Sequence, residues 1–566
     1  MVSVPDEPST APIRFGIMCN GHRFPAWQAS AIRALLALEG VEVGLLIIAE
    51  QLAASGPSKL RRLRDWPRLI WNLFNKGYVE RRSIASRPTD LASELSGTPE
   101  IHCGTERVGR YAERFSPDDI AAVASCNLDF ILRFGFGVIK GEILTTPRWG
   151  VWSFHHGDER SYRGRPPGFW ELVAGEKVVG SILQRLTERL DAGVILYRGF
   201  FKATAHSYLR TRDDLFLGSS EWPRSVLQAL RKGDDAAASA SPSTTEAAVR
   251  RDPTNGVMLR FLARQAVEFV KSQWRGLTAA ATWTVGVVEQ PIARFLDGGL
   301  PSIRWIREPG RNRYLADPFS VFYKGSLWAL VEDYDYGTHR GVISAVVLDD
   351  NDAQPRTVLD IGVHASYPYL FELNGDFWCV PETYQAGEVR LYQAVNFPHE
   401  WRLHATLIKG VAALDSTLVR HGDRWWLFCT DRDDGPNTKL RIWHAHDLAG
   451  PWTPHPLNPV KTDVRSSRPA GTPFAKDGIL YRPAQDGSES YGGSIAINRI
   501  DLLTPTAFSE EVVATVHPPP QGRYRDGLHT ICAVGEKTVI DGRRDSFITA
   551  AFLRELGSRL RKVRGS

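Results

Sequence analysis

The stretch Asp317–Asp333 reads DPFSVFYKGSLWALVED: a polar start, an apolar run, a glycine, and a second apolar run ending in acids. Two strand-length runs meeting at one Gly describe a hairpin, because Gly supplies the φ > 0 of a tight turn. The pattern returns as YPYLFELNGDFWCVPET from Tyr367, LDSTLVRHGDRWWLFCT from Leu414, RPAGTPFAKDGILYRPAQD from Arg468 and LHTICAVGEKTVIDG from Leu528. The turn glycines, Gly325, Gly375, Gly422, Gly478 and Gly535, are spaced by 50, 47, 56 and 57 residues. Paired strands at a period near 50 mark propeller blades. Five copies predict an all-β five-bladed β-propeller over residues 283–552, with an irregular β-sandwich as the alternative.

N-terminal to the repeats the pattern changes. Met258, Leu262, Ala266, Phe269 and Val270 form one apolar stripe at helical spacing, so residues 257–282 read as a connecting helix docked between two domains. Residues 233–256 are Ala/Ser/Thr/Pro-rich with few large apolar side chains and read as a flexible linker. Before it, residues 13–232 alternate strand and helix. Ile13–Cys19, Val41–Ala49 and Asp129–Phe136 are strand candidates, and Ala29–Leu38 and Pro117–Ser125 are helical, the sign of an α/β domain with a parallel sheet. Residues 59–82 mix Arg with Trp and Leu. That mix suits peripheral contact with an anionic membrane, or a solvated amphipathic helix.

Composition limits the remaining choices. The chain has 69 Lys and Arg against 64 Asp and Glu, a net +5 over 566 residues, which makes no case for nucleic acid. The six Cys are scattered and no two form a CxxC pair, so neither a zinc cluster nor a disulfide framework is expected, and no metal. No stretch of 18 apolar residues occurs. A cytoplasmic protein is expected, membrane-peripheral if residues 59–82 bind lipid.

Trp149–Leu196 contains Ser153-Phe154-His155, Arg163-Gly164-Arg165-Pro166-Pro167, Gly175-Glu176 and Asp191-Ala192-Gly193 in order, with His155 and Asp191 separated by 36 residues. This resembles the formyltransferase family, which includes methionyl-tRNA and nucleotide-sugar N-formyltransferases. The resemblance implies a Rossmann-like α/β fold and N10-formyltetrahydrofolate as cofactor. It casts His155 as proton acceptor and Asp191 as its partner. Ser153 stands where the family has an Asn that donates to the oxyanion. A hydroxyl is shorter and offers one rotatable donor where an amide offers two fixed ones. Phe134, Gly135 and Phe136 are expected at the folate. Tyr162, Arg163 and the second imidazole, His156, are expected at the acceptor. The small tRNA-binding domain of methionyl-tRNA formyltransferases is missing, which disfavours tRNA as acceptor.

In the repeats, polar residues at strand starts would face a central cavity. These are Asp317, Asp415, Arg468 and His529, with Glu382 after a second strand. Carboxylates facing one pocket are what glycosidic chemistry needs. Ala-Asp-Pro at 316–318 and Leu-Asp-Ser at 414–416 resemble the base and the pKa-tuning Asp of family-43-like glycosidases. The segment is also similar to the N-terminal part of plant glucosamine inositolphosphorylceramide transferases. The acid Glu of those hydrolases has no counterpart near Arg468, and Arg468 and His529 suit an anionic sugar. Tyr314, Tyr369, Tyr384 and Trp426 are candidates for stacking on sugar.

Together these features predict a carbohydrate-modifying transferase that formylates an amino sugar, nucleotide-linked or on a surface glycan, while the propeller binds or processes the glycan. One alternative is a glycosidase or transglycosidase in the propeller with a degenerate first domain. Another is a non-catalytic glycan-binding scaffold.

Overall fold

The computed structural model describes residues 12–50, 66–109, 112–189, 193–233, 241–310, 312–350 and 352–564, with side chains to residue 559. The chain divides into two compact units, Met1–Ala266 and Val267–Ser566.

Unit 1 is built on a seven-stranded sheet. Its strands are β1 (Ile13–Cys19), β2 (Val41–Ala49), β3 (Glu100–Cys103), β4 (Phe130–Arg133), β5 (Val151–His155), β6 (Val178–Arg185) and β7 (Val194–Lys202), in the order β7-β6-β5-β4-β1-β2-β3. The near-continuous apolar runs of β1 and β2 fit strands covered on both faces. β3, β2, β1, β4 and β5 run parallel, β6 pairs antiparallel with β5, and β7 pairs antiparallel with β6. Helix α1 (Ala26–Leu36) turns its Ala29, Ile32 and Leu35 into the core. Helix α2 (Pro117–Ser125) starts as its sequence dictates: Ser116 accepts the Asp119 N–H at 3.1 Å, with Pro at the first turn. Chain direction across the sheet reverses between β1 and β4, the place where open α/β sheets bind ligands. The loop after β4, Phe134–Gly137, lies there.

Helix α3 (Asn255–Thr278) contains the boundary between the units. Met258 and Leu262 pack into the core of unit 1 as the stripe predicted, joined by Phe261, which was not in it, but Ala266, Phe269 and Val270 are exposed.

Unit 2 holds five antiparallel sheets, each built around one repeat. The first four are led by Arg313–Tyr323, Ser366–Leu373, Ala413–His421 and Phe474–Lys476. The fifth joins Ala280–Val288, from the start of the unit, to Lys537–Ser546 and Ile531–Val534 from its end. The predicted turn glycines all have positive φ, from 57 to 87°, and Lys324, Asn374 and Asp477 before three of them do too, as a two-residue primed turn requires. The unit ends in helix α4 (Thr549–Arg564).

Candidate functional site

Two places in the molecule collect the residues singled out from the sequence. In unit 1, Ser153 and His155 leave the same face of β5, because side chains alternate along a strand. Opposite Ser153 stand Arg133 on β4 and Gln184 on β6. Arg133 donates from Nε and Nη2 to Ser153 Oγ at 3.2 and 3.0 Å. Its Nη1 donates to the carbonyls of Phe136 and Gly137 at 3.3 and 2.5 Å. The hydroxyl expected to donate to an oxyanion thus accepts from a guanidinium, and itself donates to the Phe154 carbonyl at 3.4 Å. Neither Arg133 nor Gln184 was foreseen. Both sit in cross-strand register with Ser153, and only a strand alignment would have exposed them.

His155 lines a cavity of about 120 Å³ with Arg133, Lys140, Gln184 and Gly193. A Cβ on Gly193 would lie 2.8 Å from the Arg185 carbonyl oxygen, a backbone atom that cannot swing aside, so a side chain here is disfavoured. Asp191 lies outside the described residues. The cavity's volume is below the ~300 Å³ at which small-molecule pockets start, and the Arg133 side chain lines it.

Several expected contacts are corrected. The Phe134 and Phe136 rings pack inward, against Trp27 and Phe115 respectively, and Gly135 is pressed on the Cys19 backbone. The cavity is lined instead by the neighbouring Arg133, Val138, Ile139 and Lys140. The His156 ring is boxed by Trp27 and Phe216, with Nδ1 3.0 Å from Ser181 Oγ. Burial, then the charges of His155 and Arg212, hold its pKa well below the ordinary value, so it is a neutral packing group. Tyr162 donates to Glu176 at 3.1 Å and Arg163 to the Ala247 carbonyl at 3.1 Å. Neither lines the cavity.

In unit 2 the repeats converge. Asp317, Tyr367 and Asp415, the equivalent residues of the first three, each have φ between 41 and 52° and each sits at a bulge in its sheet. Bulges re-aim side chains beside functional sites, and left-handed non-Gly residues persist only where their surroundings hold them. Here a carboxylate accepts each bulged N–H. Asp541 Oδ2 takes that of Asp317 at 3.3 Å, Asp317 Oδ2 that of Tyr367 at 3.2 Å, and Glu382 Oε2 that of Asp415 at 3.0 Å.

The result is an open cavity of about 450 Å³ whose floor holds Asp317, Glu332, Glu382, Asp415 and Arg468, under a wall of Tyr314, Tyr334, Tyr384 and Tyr491. Arg468 grips Asp415 through Nε at 2.5 Å and Nη2 at 3.2 Å, and lies 3.8 Å from Glu382. His529 sits beneath, its Nδ1 2.5 Å from Asp541 and its Nε2 3.5 Å from Asp317. Burial pushes Asp317 up to about 6, against the pull of His529. Burial and neighbouring carboxylates push Glu332 and Glu382 well above the usual range. Burial alone would lower His529, but Asp541 and Asp317 outweigh it and hold the ring charged to higher pH. One carboxyl that ionises near neutrality beside two that burial holds toward the protonated form is an acid–base arrangement.

Asp317, His529 and Asp541 place one ligand atom each within 4.8 Å of the others, as a metal would need. Their oxygens already take protein partners: Thr530 Oγ1 and Tyr367 N on Asp317, and His529 N, Thr530 N and Asp317 N on Asp541. The group therefore reads as a hydrogen-bonded ion chain.

All five expected residues thus meet, with differences. Arg468 and His529 lie in loops before their strands rather than on them. Both cations are held by carboxylates, and a third, Arg554, also lines the cavity. Tyr369 and Trp426 are buried in the core and do not stack on ligand. Glu332 was missed, although it stands 15 residues after Asp317 as Glu382 stands 15 after Tyr367. Tyr491 and Arg554, which also line the cavity, come from outside the repeat and had no such signal.

Comparison with known proteins agrees with the two-part reading. Residues 306–527 match the family model described as glucosamine inositolphosphorylceramide transferase 1, N-terminal. The chain is 34% identical over 248 residues to glucosamine inositolphosphorylceramide transferase 1 of Arabidopsis thaliana, 42% of this chain and 31% of that protein. The enzyme of the same name from Oryza sativa subsp. japonica is 32% identical over 239 residues. This chain spans about a third of the length of these relatives. A methionyl-tRNA formyltransferase of Prochlorococcus marinus (strain AS9601) is 31% identical over 87 residues, 15% of this chain and 26% of that one. Among solved structures, a thermostable family-43 glycoside hydrolase is similar at 13% identity and TM-score 0.28, covering 37% of this chain and 77% of that one. The phosphoribosylglycinamide formyltransferase of Anaplasma phagocytophilum follows at 16% and 0.26, covering 39% and 88%. Scores this low say nothing about activity.

Proposed function

We propose that the protein is a carbohydrate-modifying transferase whose sugar chemistry takes place in unit 2, with the five sheets as blades of a five-bladed propeller. The observation that supports this is the acid–base floor of the 450 Å³ cavity. Asp317 acts as base, since it is ionised above about pH 6. Glu382 acts as acid, since burial holds it toward the protonated form. Arg468 holds Asp415 beside Glu382, and the tyrosines stack on the sugar ring. The acceptor or donor is an amino sugar in a glycoconjugate: four carboxyl groups line the cavity beside the guanidiniums of Arg468 and Arg554 and can accept hydrogen bonds from an ammonium, and the relatives' name contains glucosamine. The test is calorimetry with glucosamine-containing glycans, with their N-acetyl forms as controls, followed by turnover. Equal affinity for amine and N-acetyl forms sinks the reading.

Folate-dependent formylation of the amino sugar by unit 1 is the second reading. It is supported by His155 lining a polar cavity on the same strand face as Ser153. It requires Arg133 to vacate the cavity, and formylation by the wild-type protein with formyl-folate would establish it. A cytoplasmic, membrane-peripheral protein that binds no nucleic acid belongs to the same proposal. In residues 66–82, the described part of the proposed lipid-binding segment, Trp66, Leu69 and Leu73 are exposed.

A further inference from the structure

A second surface, apolar and basic, lies on helices α3 and α4. Among the residues of α3, Val267, Val270 and Trp274 are 52, 65 and 67% exposed. At about 100° per residue they share one arc of about 60°. The adjoining arc carries Lys271 and Arg275, bases along one edge of an apolar stripe. Across from the end of α3 lies α4: Arg559 Nη2 donates to the Gln273 carbonyl at 3.4 Å, and both helices line one cleft. On and beside α4, Phe547 and Leu553 are each 60% exposed, and Leu556 is exposed as well. Helix α3 carries four bases and one acid, and α4 five bases and one acid.

Apolar side chains scattered singly on a surface need no explanation, but a stripe shared by two neighbouring helices does. A partner protein of ordinary charge accounts for the stripe and not for the bases beside it. An anionic lipid surface accounts for both, with apolar groups entering the acyl boundary and bases meeting the headgroups. No helix among the described residues is long and apolar enough to cross a membrane, so these helices would lie in the surface.

We propose that α3 and α4 together dock unit 2 onto an anionic membrane. Helix α4 has a second role in this arrangement. Its Arg554 lines both the cleft between the helices and the carboxylate cavity, beside Tyr334. Docking therefore presents the cavity to glycans carried on lipid. The membrane contact stands independently of the catalytic reading and of the segment at residues 66–82.

The test is flotation of the full chain with vesicles of phosphatidylcholine and phosphatidylserine at 7:3, against phosphatidylcholine alone. The expected result is binding to the anionic vesicles that falls at least about tenfold in V270S/W274S and, separately, in K271E/R275E. Asp317→Asn should keep it. Overturning results are no binding, binding unchanged in both helix variants, or a concentration-dependent dimer that V270S/W274S abolishes while vesicles fail to bind. Circular dichroism on each variant separates lost binding from lost folding.

Discussion

The two pockets were announced by the sequence in opposite ways, and the structure treats them in opposite ways. In unit 1 the catalytic-looking residues lie within one contiguous motif, yet the cavity beside His155 is about 120 Å³ with Arg133 bonded to the expected donor. In unit 2 the residues are spread from Asp317 to Asp541, yet they meet on the floor and underside of a cavity of about 450 Å³. A contiguous motif reports the strand–turn–helix path that carries it. Whether that path still encloses a working site depends on neighbours such as Arg133, which arrive from another strand. Residues repeated at a fixed period report symmetry, and symmetry brings equivalent positions to one place.

The largest expected effect tests the unit 2 side. Asp317→Asn should lower kcat/KM for glycan turnover by about 10²–10⁴, the range for loss of a general base, and should leave sugar binding measurable by calorimetry. In the wild type, kcat/KM should fall as pH drops through about 6, because Asp317 must be ionised to act. A pH-independent rate between 5 and 8 would break the assignment. Next in size, Arg468→Ala strands Asp415 beside Glu382, and urea unfolding should show a loss of about 3–5 kcal/mol, as for a buried pair missing one partner.

The unit 1 side is sharpened by Arg133→Ala. If Arg133 is what closes the cavity, 5-formyltetrahydrofolate should bind at least about tenfold more tightly to the variant, read by calorimetry. Tight binding to the wild type would erase the contrast between the pockets. The smallest effect concerns Glu332. Its folded pKa is raised, so the stability that goes with its proton is complete below the unfolded value and is lost as pH rises through the folded one. Glu332→Gln should therefore raise the melting temperature at pH 8 by about 2–4 °C, the shift that 1 kcal/mol makes in a domain of this size. It should do little at pH 4.

What was legible followed from local physics. Turn glycines at 325, 375, 422, 478 and 535 marked five hairpins because each needs φ > 0. The apolar runs at Ile13 and Val41 marked buried parallel strands. Asp317, Asp415, Arg468, His529 and Glu382 came together because the period placed them. Glu332 was legible at the same offset as Glu382. Arg133 was not, since cross-strand register with Ser153 leaves no trace in a single sequence. Nor were Tyr491 and Arg554, which reach the cavity from segments outside the repeat. Helix α3 misled for a related reason: one stripe at helical spacing says that a helix has an apolar face, and not whether protein or lipid covers it.

The sheet that joins Ala280–Val288 to Lys537–Ser546 has a consequence for synthesis. Asp317 holds its left-handed backbone through Asp541, 224 residues further on. A nascent chain that has made four of the sheets has Asp317, Glu332, Glu382, Asp415 and Arg468 already out of the ribosome, but neither His529 nor Asp541. Its carboxylates then lack the cation and the backbone acceptor that shape the floor. The pocket is assembled by the final strands, so a ribosome-bound or prematurely terminated chain carries the residues of the site without its chemistry.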